Sequence, residues 1–110
     1  MKAIKTLHIG AHHFKLEMVS ESSLSNDEQG DMCPDKNTIH VSKALCPSRQ
    51  VEVIFHECVH AMLVGHDIDK EELVALLLGE GLALFIRENP VLIKRAMKTL
   101  SDEKKSFEKN

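Results

Sequence analysis

His56 and His60 stand four residues apart in the run His56-Glu57-Cys58-Val59-His60. On a helix that spacing stacks two imidazoles one turn apart, about 6 Å along the axis, so both rings can grip one divalent cation. Glu57 follows His56 directly, which sets its carboxylate beside a water on the metal and not on the metal itself. A carboxylate there can take a proton from the water as it attacks a polarised carbonyl. The competing reading is a chance pairing in a chain with seven histidines. The flanks argue against chance. Val53, Ile54 and Phe55 before the motif and Ala61, Met62 and Leu63 after it predict a largely buried helix, where an unpaired His or Glu is unfavourable.

A catalytic zinc also requires a third protein ligand and an open position for water. Glu72 begins the next helix, with Val74, Leu77 and Leu78 behind it to press that helix onto the core. It equally fits a capping box in Asp69-Lys70-Glu71-Glu72, where it would only satisfy the helix end, and Glu71 could exchange roles with it. Glu80 lies two turns on, about 12 Å along the axis, so Glu72 and Glu80 cannot share one ion. His66 sits six residues after His60, the offset of the third histidine in metzincin motifs, but the glycine those motifs require is Leu63 here. The residues favour Glu72 and leave Glu80, His66 and Glu71 open.

The elements that must position these groups can be read from hydrophobic periodicity. Leu7 and Ile9, then Phe14, Leu16 and Met18, alternate with polar residues around Gly10-Ala11-His12, which predicts a β-hairpin. Ser20 to Asn37 reads as a loop with at most one short strand, and Thr38-Ile39-His40-Val41 as a further strand. Pro47-Ser48 starts a helix whose apolar positions Val51, Ile54, Phe55, Cys58, Val59, Met62 and Leu63 recur until Gly65. Asp69 opens a second helix that runs to Asn89-Pro90, and a third follows with Leu92, Ile93, Ala96, Met97 and Leu100 on one face. The charged end, residues 101 to 110, is expected to fray. The whole is an α+β class chain: one domain over residues 1 to 110, with a small antiparallel sheet of about three strands packed on three helices.

Composition narrows the partners. In 110 residues, 43% are apolar, enough for one modest core, and a net charge of −3 provides no basic field for nucleic acid. The runs Leu73 to Leu78 and Leu82 to Ile86 are too short to span a membrane. Met1 to Leu7 lacks the apolar stretch of a secretory leader, and three cysteines, Cys33, Cys46 and Cys58, are too sparse for a disulfide scaffold. A cytoplasmic protein with reduced thiols is therefore expected, without nucleic-acid or membrane partners. His8, His12 and His13 read as surface histidines. The oligomeric state has no signature.

Taken together, the chain resembles the compact HExxH gluzincins of phages and bacteria, related in motif to the ImmA/IrrE type of metallopeptidase. Beyond His56-Glu57-Cys58-Val59-His60, the resemblance rests on Leu7-His8-Ile9-Gly10 with Phe14-Lys15-Leu16, on Thr38-Ile39-His40-Val41, on Glu71-Glu72-Leu73-Val74 and Gly81-Leu82, and on Arg87-Glu88-Asn89-Pro90. It implies a zinc-dependent peptidase with one zinc ion, a polypeptide substrate and a glutamate as third ligand, which favours Glu72 over His66. The chain departs from the family at Leu76, where a carboxylate that orients a zinc-binding histidine is expected. With no tyrosine in the chain, a phenolic oxyanion stabiliser is excluded, and His66, His40 and Arg87 are the candidates to replace it. So short a domain predicts a shallow cleft, with an extended substrate added antiparallel to the strand at Ile39 to Val41. Two other readings compete: a non-catalytic zinc-stabilised protein-binding module, which would not need Glu57, and a hydrolase of non-peptide amides.

Overall fold

The computed structural model describes residues 5 to 108. The opening residues 1 to 4 lie outside that range. Strands β1 (Thr6–Ile9) and β2 (His12–Val19) form the expected hairpin, with Ile9 opposite His12 and Gly10 at φ 59 in the tight turn, where a side chain would be strained. After single-turn 3-10 helices at Glu21–Ser23 and Pro34–Lys36, which flank β3 (Gly30–Cys33), the chain enters β4 (Thr38–Ser42). Three helices follow: α1 (Pro47–Leu63), α2 (Glu71–Glu88) and α3 (Pro90–Glu108).

The class is α+β, and the sheet differs from expectation in size and direction. It has four strands in the order β1-β2-β4-β3, and β4 runs parallel to β2 while pairing antiparallel with β3. The cause is the segment from 20 to 37, which carries the chain past β4's position to lay down the edge strand β3 before returning. Gly30-Asp31-Met32-Cys33 is half-buried throughout, so it shows no alternation by which a strand could be recognised. Strand β4 is consequently interior, with both edges used, and cannot accept an added substrate strand at Ile39 to Val41. The free edge near the motif helix belongs to β3.

One face of the sheet carries Ile9, Phe14, Leu16, Ile39 and Val41 against Val53 and Cys58 of α1, and this is the core. Ile39 and Val41 are fully buried, each worth about 1.5–3 kcal/mol of apolar transfer. Among the described residues no helix packs on the opposite face, which is polar: His40 bonds Asp31 across strands through Nδ1 at 2.7 Å, and the rings of His8 and His13 lie 4.1 Å apart.

Local signals fix the helix ends. Pro47 occupies the first position of α1, where its missing N–H is harmless, behind an extended Cys46. Gly65 at φ 85 ends α1 while the His66 N–H bonds the Leu63 carbonyl at 3.0 Å. Lys70, at φ 58, caps α2 without a side-chain bond, so the Asp69 to Glu72 capping box does not form. Asn89 separates α2 from α3, and its Nδ2 donates to the Phe85 carbonyl at 2.9 Å. Residues 101 to 108 are helical, not frayed: Lys98 pairs with Asp102 at 3.1 Å one turn away, and Lys104 with Glu108. Residues 109 and 110 lie outside the described range. No helix among the described residues is long and apolar enough to cross a membrane.

Candidate metal centre

Helix α1 lies over the sheet with Val53, Cys58 and Val59 turned into the core, which rolls His56 and His60 toward α2. Gly79 of α2 sits against His56 so closely that a Cβ there would stand 3.0 Å from the His56 nitrogen and 3.1 Å from its Cα. The absence of a side chain at Gly79, with Ala75 fully buried nearby, lets the two helices approach and brings the first turn of α2 over the histidines.

Glu72 lies in that first turn. Its Oε1 is 2.8 Å from His56 Nε2 and its Oε2 is 2.8 Å from His60 Nε2. One donor atom from each of His56, His60 and Glu72 lies within 4.8 Å of the others, the one such metal-competent group among the described residues. Two imidazole nitrogens and a carboxylate suit zinc, and three protein donors leave a tetrahedral ion one position for water. The imidazoles are only 18% and 14% exposed, whereas Glu72 is 74% exposed, so the set is rooted in the protein and open on the Glu72 side.

Glu71 supplies a feature that the sequence did not reveal. Its Oε2 lies 2.6 Å from His60 Nδ1, the ring nitrogen opposite the one facing Glu72. As the ring stands, both nitrogens meet carboxylates, an arrangement that a doubly protonated imidazole satisfies. Burial works against that charge, but the bond to Glu71 and the nearby Glu72 and Glu57 more than offset it, holding the His60 pKa above its ordinary value. If a cation were bound, Nδ1–H would go on donating to Glu71 and Nε2 would be left to ligate. Leu76, where the family resemblance implies an orienting carboxylate, lines the cleft.

Glu57 is 7% exposed on the buried side of α1 and lines the same cleft as the histidines. Burial pushes its pKa up to about 7, with Glu72, Asp31 and Glu28 adding to the rise and His60 opposing it. The cleft, about 570 Å³, is bounded on one side by Asp27, Glu28, Gln29 and the β3 residues Gly30, Asp31 and Met32, and on the other by Glu72 and Leu76. Gly30 makes this wall possible: a Cβ there would come within 2.7 Å of both the His40 carbonyl oxygen and Val53 Cγ1.

The remaining candidates are elsewhere. Glu80 lies along α2 near Arg49 and Glu52, beyond His56, and His66 is exposed in the turn after α1. None of His66, His40 and Arg87, the candidates to stabilise an oxyanion, borders the cleft; His40 is held by Asp31 on the far sheet face and Arg87 pairs with Glu88 at 3.0 Å. Cys33, Cys46 and Cys58 are free thiols, and burial raises that of Cys58 to about 11. Comparison with protein-family models, with curated proteins and with solved structures finds no match to the chain.

Proposed function

We propose that this chain is a zinc-dependent metallopeptidase of the compact gluzincin type, with His56, His60 and Glu72 as metal ligands and Glu57 as general base. The observation that carries the reading is the convergence of both histidine Nε2 atoms on one carboxylate, 2.8 Å in each case, at the mouth of a cleft that also holds the buried Glu57. A zinc ion bound there would polarise the scissile carbonyl and acidify a water. Glu57 then accepts the water's proton at its carboxylate and passes it to the departing amine, a task suited to a carboxyl whose pKa burial has moved toward neutrality. Glu71 would accept from His60 Nδ1 and so direct Nε2 at the ion.

The unpaired edge of β3 supports a polypeptide as substrate, since an extended chain can add to Gly30–Cys33 alongside the cleft. Asp27 and Glu28 line that wall, and no Lys or Arg is among the lining residues, which favours substrates with basic side chains. Free cysteines are in keeping with a cytoplasmic location. The test is hydrolysis of a mixed peptide library by zinc-loaded protein. Cleavage that disappears with a chelator, returns with zinc and falls by about 100-fold or more in Glu57→Gln supports the reading. Tight zinc binding without cleavage of any peptide would favour the zinc-stabilised binding module instead.

A further inference from the structure

Helix α2 is apolar on two opposite faces. The face formed by Ala75 and Gly79 packs on α1. At about 100° of rotation per residue, Leu73, Leu77 and Leu84 fall together on the reverse side, where they are 49%, 59% and 50% exposed. Leu78 and Phe85 flank them, also exposed, and α3 adds Leu92, Met97 and Leu100 along one side. A helix that is apolar all round belongs in an interior.

The chain's own last helix does not provide that interior. Only Asn89 separates Glu88 from Pro90, whereas two helices need about 2–5 connecting residues to reverse direction. Helix α3 therefore projects from the body and makes little contact with α2. The consequence is measurable in area. The chain exposes 8571 Å², against about 6,100 Å² for a compact monomer of its mass. The surplus of about 2,400 Å² is the amount that one partner contributes to a large obligate homodimer interface.

Charge is divided in the same way. Residues 1 to 89 contain eight Lys and Arg against fourteen Asp and Glu, a net −6, while residues 90 to 110 contain six against three, a net +3. Each copy thus offers an acidic body and a basic amphipathic helix, a complementarity that a twofold axis satisfies twice. An anionic membrane would attract α3 but repel the body.

We infer that a second copy of this chain covers the outer face of α2, in a closed dimer where α3 of each protomer lies against the body of its partner. Sedimentation equilibrium of the full chain, from nanomolar to submillimolar concentration, tests this. The expected result is a single species of twice the 12.4 kDa chain mass. The pair Leu77→Glu with Leu84→Glu is expected to raise the dimer dissociation constant roughly 100-fold or more, with helical circular dichroism unchanged. A second variant, Lys94→Glu with Lys98→Glu on the polar side of α3, is expected to weaken the dimer and reduce its salt dependence without touching the apolar face. A wild-type monomer throughout, open-ended aggregation, a dimer indifferent to both variants, or a monomer that binds anionic vesicles would each overturn the inference. Metal loading and cleavage are not part of this readout, so the proposed activity stands or falls separately.

Discussion

Glu71 Oε2 lies 2.6 Å from His60 Nδ1, so the first residue of α2 secures a ring whose other nitrogen faces the second, Glu72. Adjacent carboxylates on one helical turn thus perform different tasks on a single imidazole: one orients it, the other joins it at the proposed metal.

Replacing Glu71 by Ala should leave the fold intact and lower zinc affinity by about 10–100-fold, the usual effect of losing a carboxylate that orients a ligand histidine. Chelator competition at fixed pH measures it. Glu71→Gln, which keeps an acceptor for the Nδ1 proton, should fall between wild type and Glu71→Ala.

Removal of Glu72 should be more severe. Glu72→Ala is expected to weaken zinc by about 100-fold or more, if one ligand supplies a quarter of the about 10–16 kcal/mol of a four-ligand site. Glu80→Ala and His66→Ala, outside the ligand group, should change affinity by less than about twofold. Isothermal titration of the three variants separates these outcomes.

The two glycines that admit close approach should tolerate a methyl group badly. Gly30→Ala places a Cβ within 2.7 Å of a backbone oxygen and of Val53, so β3 must shift, at a cost of about 2–3 kcal/mol. At Gly79 the contacts to His56 begin at 3.0 Å, and an overpacking loss of about 1–3 kcal/mol is partly offset by the roughly 1 kcal/mol that Ala gains over Gly in a helix. Urea denaturation should rank Gly30→Ala as the less stable, while Gly79→Ala should show the larger loss of zinc affinity per unit of lost stability, because it separates Glu72 from His56.

The metal-free protein should lose stability as pH rises. Glu57 is shifted up from 4.5 to about 7 in the fold. Its contribution is fully present below about pH 4.5, where it is protonated in both states, and is lost as pH climbs to about 7, a change of roughly 3 kcal/mol. His60, also raised, acts with the same sign: its contribution is present below its unfolded value of 6.5 and lost as pH passes its higher folded value. Denaturation in chelator between pH 5 and pH 8 should show this decline, and Glu57→Gln should flatten its lower half. Stability that increases over this range would contradict a Glu57 carboxyl raised by burial.

Much of this arrangement was legible because it is local. The alternation of Leu7, Ile9, Phe14 and Leu16 specified the hairpin, and the apolar flanks of His56 to His60 specified a helix, though one less buried than its largely apolar flanks predict. What escaped reading depends on distant contacts. Gly30 to Cys33 form a strand because β4 and α1 are there to receive them, with no periodicity of their own. Glu71 reaches His60 because Lys70 turns the chain in a left-handed conformation just before α2, a bend that nothing in Asp69-Lys70 announces. The helical end carries a charged composition that masks its pairing, for Lys98 and Asp102 stand at helical spacing and α3 continues to Glu108.

The most direct test of the metal centre is an anomalous difference map, collected at the zinc edge from crystals grown with stoichiometric zinc. A single peak bonded to His56 Nε2, His60 Nε2 and the Glu72 carboxylate, with a solvent oxygen in the fourth position and Glu57 beside it, is the expected result. Zinc held through Glu80 or His66, a fourth protein ligand closing the site, or no peak between the two imidazoles would contradict it.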